Sequence, residues 1–270
     1  MTWEELVEYL NDEINWDEPN AQEFQKVERA LSELARTPDQ VAERVYGITH
    51  DRKLFRDYMP HMECPRPCMD KFILHMDPDD RFRIRLHRFK PQIQNRGAQP
   101  TIHSHRWAYS TVVLNGGYTE YLYNVEAEDM NTMTAKLVVT EKHDLRKGDT
   151  NSLMPQLPHR TVNESDSETC ATLFVRGKSL YKTNTVYDPE TYKFRVLHGM
   201  NDQLKLEIPA ADAAYSSCPS EAAATELARM LVFDETLRGR VALAVTEEGR
   251  AVHVAAEADV GDLRLRARRR

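Results

Sequence analysis

The chain has 270 residues, 41% of them apolar and 29% charged, with a formal net charge of −7. That balance fits a soluble globular fold and argues against a surface built for nucleic acid. No apolar run reaches the roughly 20 residues of a membrane-spanning helix, no secretory leader pattern opens the chain, and four cysteines at this length do not make a disulfide framework. The expected setting is a reducing cytoplasm, with no nucleic-acid or membrane partner. The length suits one large domain or one domain with appendages.

The first 58 or so residues read as helices. Thr2 and Glu5 have capping-box spacing, and Trp3, Leu6, Val7 and Leu10 follow at helical intervals. Phe24, Val27, Leu31 and Leu34 make a second stripe that ends near Thr37-Pro38, and a third short helix begins after Pro38 with Val41 and Val45 inward. Such stripes pack on the rest of the fold or form a dimer surface. Next come His61, Cys64, Cys68 and His75, which can be written as a zinc set. Their C-x3-C spacing, with prolines on both sides of Arg66, matches neither structural zinc nor a thioredoxin-like redox pair, and a rigid loop is expected.

Arg81 to Phe89 alternates: Phe82, Ile84 and Leu86 face one side, and Arg83, Arg85 and His87 the other. This is the pattern of a half-buried strand. Gly97 to Gly117 then carries His103 and His105 one residue apart in a run that reads as a strand, so both rings share a face. Two imidazoles on one face are a partial site for Fe, Cu, Ni or Zn. His159, in Pro155 to Asn163, is the best candidate for a third ligand. The alternative is a stacked, hydrogen-bonded core pair. Trp107, Tyr109, Thr111 and Val113 share the parity of the histidines and line the same interior if no bulge intervenes. Tyr109 is then either a phenol positioned to act on oxygen or substrate, or a core residue with its hydroxyl bonded elsewhere.

Gly116-Gly117 reads as a two-residue hairpin turn. Tyr118 to Val125 and Ala135 to Thr140 continue the antiparallel run around a polar turn at Glu126 to Asn131. Gly148 opens another turn, and Cys170 to Arg176 is expected to pair with the His159 strand through a turn at Glu164 to Ser167. Beyond Tyr187-Asp188-Pro189 the strand signal fades. Ser220 to Leu237 reads as an amphipathic helix, Val241 to Val254 as a hairpin turning at Glu248-Gly249, and the basic tail as a solvated end.

The central arrangement resembles the cupin superfamily over roughly its middle 110 residues. Gly97, His103, His105 and Gly116 match the first cupin motif, except that Tyr109 and Ser110 stand where its glutamate belongs. Gly148, Pro155, His159 and Asn163 match the second, with Leu157 or Pro158 in place of its internal glycine. Cupins without the glutamate include the three-histidine thiol dioxygenases, and His159-Arg160, Asn163, Glu168 and Leu173 are similar to the region of the third histidine in cysteine dioxygenase. The family's Cys–Tyr pair would fall on Ser110 and Arg176, so neither partner is present.

The resemblance implies a mainly β fold: a single cupin-type double-stranded β-helix (jelly-roll) barrel at 71–200, an N-terminal helical cap at 1–70 and a small α/β extension at 201–270. It implies a metal held by His103, His105 and His159, Fe(II) first and Zn, Ni, Mn or Cu as other metals that imidazole accepts. The implied function is that of a non-haem iron dioxygenase acting with O2 on a small anionic substrate, a thiol or an amino-acid-like carboxylate. The alternatives are a Zn or Ni isomerase, cyclase or lyase and a non-catalytic small-molecule-binding cupin. Tyr109 is the expected catalytic side chain. Arg85, Trp107 and Arg176 are the expected substrate contacts: Arg85 either forks a carboxylate in the barrel mouth or belongs to a solvated basic edge, and Arg176 either binds an anion or ends in a salt bridge. A monomer or homodimer is expected.

Overall fold

The computed structural model describes residues 1–198, apart from Pro65 and Arg96, and the backbone of two later strands, Ala242–Val245 and Ala251–Val254. The expected helix at Ser220 to Leu237, the turn at Glu248-Gly249 and the basic tail lie outside the described residues. The two later strands pair antiparallel, Ala242 opposite Val254 and Val245 opposite Ala251.

Four helices come first: α1 (Trp3–Asp12), α2 (Ala21–Ala35), α3 (Pro38–His50) and α4 (Arg52–Tyr58). The capping box forms as the spacing predicts: Glu5 N donates to Thr2 Oγ1 at 3.1 Å and Thr2 N donates to Glu5 Oε2 at 2.7 Å. Leu6, Leu10, Phe24, Val27, Leu31, Leu34, Val41 and Val45 are all buried. Each large one contributes roughly 2 kcal/mol through the apolar surface it removes from water. Among the described residues, no helix is long and apolar enough to cross a membrane.

The strands are β1 (Met69–Met76), β2 (Phe82–Phe89), β3 (Ile102–His103), β4 (Tyr109–Asn115), β5 (Gly117–Asp129), β6 (Thr134–Arg146), β7 (Thr150–Leu153), β8 (His159–Val162), β9 (Cys170–Gly177), β10 (Thr183–Tyr187) and β11 (Phe194–His198). They form two antiparallel sheets, β1-β2-β9-β4-β7 and β11-β10-β3-β8-β5-β6, the mainly β, two-sheet architecture with N-terminal helices that the sequence implies. The helices cover the outer face of the first sheet. Trp16 stacks on Phe82 with ring centroids 5.1 Å apart, and Ile84, Leu86, Val112, Leu173 and Val175 join the helical stripes in one apolar cluster. The stripes therefore pack on the β-structure.

Several expectations change because the chain changes sheet at most steps from β2 to β10. His103 to Val113 is not one strand: β3 lies in the second sheet and β4 in the first. The chain crosses after Ser104, whose N donates to Thr185 O at 2.9 Å and whose Oγ accepts from Thr185 N at 3.1 Å, fixing the end of the ladder. Gly116 is likewise a corner between sheets and not a hairpin turn, since β4 and β5 do not pair. β8 and β9 also fall in different sheets. The true hairpin is β5–β6, where pairing runs out to Asp129 opposite Thr134, past the expected start of the turn. Among the described residues, His61, Cys64, Cys68 and His75 do not gather into a ligand group.

Gly116 has φ +66°, and a Cβ there would lie 2.7 Å from Thr169 O. Gly148 has φ +91° with nothing within 4 Å of a Cβ. Gly148→Ala should therefore lose about 1 kcal/mol from backbone conformation alone, and Gly116→Ala about 2 to 3 kcal/mol because backbone must also shift. Urea unfolding of both variants checks the order; equal losses would mean that the corner is not sterically closed.

His75 stacks on Phe82 with centroids 5.4 Å apart, and its Nε2 is buried without a partner. Burial, then the Arg44 charge, draws its pKa from 6.5 to about 4. A depressed histidine leaves stability intact above pH 6.5 and removes it as pH falls from 6.5 through 4. Thermal melts at neutral pH and near pH 4.5 should show a smaller acid loss for His75→Gln than for wild type; identical losses would exclude His75 as a contributor.

Candidate metal centre

The two sheets face each other across a cavity of about 310 Å³. On the second sheet, β3 and β8 pair through one residue couple, His103 opposite His159. His105 follows in the crossing segment, where its carbonyl accepts from Gln156 N at 3.0 Å. These contacts bring the three rings together. Their candidate ligand nitrogens all lie within 4.8 Å of one another, and among the described residues no other group of three potential ligands converges this way. His105 Nε2 and His159 Nε2 are 3.0 Å apart.

Hydrogen-bond partners fix two of the tautomers. His159 Nδ1 lies 2.7 Å from Glu120 Oε1, and His103 Nδ1 lies 3.1 Å from Thr101 O. A carboxylate and a carbonyl only accept, so each Nδ1 carries the hydrogen and each Nε2 keeps a lone pair. Burial, followed by His159 and Lys71, draws His103 down to about 3. Burial, then His103 and His159, holds His105 well below the usual range. Imidazoles whose outer nitrogens are tied to acceptors, as those of His103 and His159 are, fit a divalent transition metal.

Glu120 is the residue that sequence reasoning missed. Tyr109 and Ser110 do occupy the motif's glutamate position, and Ser110 Oγ faces away, donating to Phe24 O at 3.2 Å. The carboxylate comes instead from β5, where Glu120 is fully buried. It accepts from His159 Nδ1, from Tyr109 Oη at 2.7 Å and from Asn151 Nδ2. Burial alone would raise its pKa; hydrogen bonds from His159, Tyr109 and Asn151 outweigh that and hold it below the ordinary value. The sequence signal was a lone acid between Tyr118 and Leu122, with the parity of both.

Tyr109 sits at the cavity as its parity implies, but its hydroxyl hydrogen goes to Glu120. Burial, then Glu120, pushes its ionisation well above the usual range. The hydroxyl is thus bonded to a neighbouring carboxylate, the geometry of the second of the two roles expected of it. Trp107 and Thr111 also line the cavity, as their parity implies. Val113 packs at the floor with Phe89, Tyr118 and Cys170, and register slips between Val113 and Asn115.

Arg85 lies on the cavity wall and not on a solvated edge. The reason is that both faces of β2 are covered: Phe82, Ile84 and Leu86 pack under the helices, so the basic face turns inward. His87 and, from β1, Lys71 share that wall, and Lys71 stands opposite His87 in the ladder. Arg176 does not line the cavity. Its guanidinium donates to Gly177 O at 2.9 Å and Asp80 Oδ1 at 3.1 Å and lies 4.9 Å from the Trp107 ring centroid. The Arg176 side chain thus ends in a salt bridge to Asp80, the second of the two expectations for it, and lies against Trp107, with its Nε buried without a partner.

No protein-family model matches the chain, and no curated protein matches it. Among solved structures it is similar to DMSP lyases (RdDddP and RnDddQII) at 18% identity and TM-score 0.29, over 40% of this chain and 47% of that one. It is similar to KdgF from Halomonas sp. at 19% identity and TM-score 0.29, over 42% of this chain and 84% of that one. A recombinant oxalate oxidase in complex with glycolate gives 14% identity and TM-score 0.31, over 45% and 56%. The chain thus spans about half the length of the lyase it matches.

If Glu120 orients His159 for a metal, Glu120→Gln should weaken divalent metal binding roughly 10- to 100-fold, since an amide offers one acceptor oxygen to three donors. Tyr109→Phe should cost less. Chelator competition with zinc measures both; unchanged affinity in Glu120→Gln would remove the carboxylate from the metal site.

Proposed function

We propose that this chain is a metal-dependent cupin enzyme, a non-haem Fe(II) dioxygenase that acts on a small anionic substrate, with His103, His105 and His159 as the ligands. The observation that carries the reading is the convergence of three imidazoles on a cavity whose other wall holds Lys71 and Arg85. A thiol or amino-acid-like carboxylate is the first substrate class to try.

Bound Fe(II) would supply redox chemistry toward O2 and several open coordination positions, since three neutral ligands leave its charge whole. The chain's own residues do the rest. Arg85 offers a guanidinium fork to a substrate carboxylate. Trp107, stacked between the His105 ring at 5.3 Å and the Arg176 guanidinium, walls one side of the cavity and keeps water from it. Glu120 holds the His159 Nδ1 hydrogen, so that ring keeps one orientation while substrate and product exchange. Phe174, stacked on Tyr109 at 4.6 Å, supplies apolar surface against which a short carbon chain packs.

Metal analysis of purified protein should find close to one ion per chain, and His159→Ala should lose it. Oxygen consumption by the Fe(II)-loaded protein with small thiols and carboxylates should exceed that of the zinc-loaded protein by orders of magnitude. Turnover without oxygen, supported by zinc or nickel, would replace this reading with a lyase or isomerase. A protein that binds no metal and gains no melting temperature from Fe(II) would replace it with a binding scaffold.

A further inference from the structure

The first-sheet wall of the cavity holds more recognition groups than its own contacts use. The Arg85 side chain forms no hydrogen bond with the described residues, and its Nε is buried without a partner. The acid that acts on it most strongly through space is Glu63. Glu63 is already engaged by Lys71 Nζ at 3.4 Å and Arg66 Nη2 at 3.7 Å. Two residues along β2, His87 is 5% exposed, lines the same cavity, and also has an Nε2 without a partner. Buried polar groups are almost always satisfied, so two adjacent orphans on a cavity wall point to a ligand.

Charge decides which ligand. Lys71 is balanced by Glu63. Glu120 offsets one of the two charges of a divalent ion at the three histidines. What remains is the guanidinium of Arg85 and one metal charge, on opposite walls of one cavity. Uncompensated buried charge is costly, and an occupant that neutralises both is favoured.

We infer that the cavity takes a small organic dianion with no ammonium group: one acidic group on the three-histidine side, and a carboxylate on Arg85 that also accepts a hydrogen bond from His87 Nε2–H. A short dicarboxylate is the simplest such molecule. The inference rests on the metal reading above for one end of the substrate and on Arg85 and His87 for the other. It narrows the substrate class, because a zwitterionic amino acid would bring an ammonium, and Glu63, the one acid among the described residues that line the cavity, already faces two cations. A cavity of about 310 Å³ sits at the small end of ligand pockets, which suits a molecule of a few carbons.

The test is calorimetric, on zinc-loaded protein, so that binding is read without turnover. Glutarate, butyrate and glutamate form a matched set, differing by one carboxylate and by one ammonium. Glutarate should bind roughly tenfold or more tightly than either of the others, the size of a lost charge-assisted hydrogen bond. Arg85→Gln should bring glutarate down to the level of butyrate with zinc affinity unchanged, and His87→Phe should weaken glutarate less. Circular dichroism and zinc content establish that both variants fold. Protein that binds zinc but holds glutarate no tighter than butyrate or glutamate overturns this inference and leaves the metal centre standing. Protein that binds no zinc overturns the metal reading, and this one with it.

Discussion

One buried carboxylate organises the cavity. Glu120 accepts three hydrogen bonds at full burial, from a ring on β8, a phenol on β4 and an amide on β7. It therefore joins the two sheets across the interior as well as fixing one imidazole. An ionised acid is tolerable there only because every donor around it is aimed at it; remove the donors and desolvation would neutralise it. The His159 tautomer follows from this contact, and so does the direction of its Nε2. His103 reaches the same state by a cheaper route, through the carbonyl of Thr101. Orientation thus comes from β5 for one ring and from the ligand's own segment, two residues back, for the other.

The second constraint is that the first sheet has no solvated face. Helices cover it outside, and the cavity closes it inside. Phe82, Ile84 and Leu86 need the helical stripes, and Arg83, Arg85 and His87 take whatever lies on the other side. At one end Arg83 meets Asp80 at 2.7 Å. Further in, no acid waits for Arg85. A strand buried on both faces but polar on one is costly unless that polar face meets a partner, and this is why β2 links the packing of the fold to recognition.

Much of this was legible in the chain itself. The helical stripes, the capping box and the alternation of β2 gave the layers, because each follows from local periodicity. The three histidines were legible because His-x-His keeps its spacing whichever sheet it joins. What the sequence did not carry was which sheet each strand would enter. Gly116 has the composition of a hairpin turn, yet its role is set by Thr169 O, which lies more than fifty residues on in the chain. Glu120 stayed hidden for the same reason: its partners on β4, β7 and β8 become neighbours only when the sheets close. Arg176 has the inward parity of Thr172 and Phe174, but parity says nothing of Asp80, which reaches it across a turn.

Arg85 and Arg176 show how position decides what a buried guanidinium does. Burial lowers both, to about 10 and about 9, so both still carry their charge at neutral pH. Arg176 is paired with Asp80 and covered by Trp107, which turns its charge into rigidity for an aromatic wall. Arg85 sits deeper along the cavity, with Glu63 already held by other cations, so its charge is compensated only when something anionic arrives. In the proposed reading the charge of the occupant matters because Arg85 stands on one wall of the cavity and the three histidines on the other, and a low-dielectric interior strengthens every charge interaction across it. Specificity then follows from the number of charges as well as from shape, since an occupant of the wrong charge leaves one wall uncompensated.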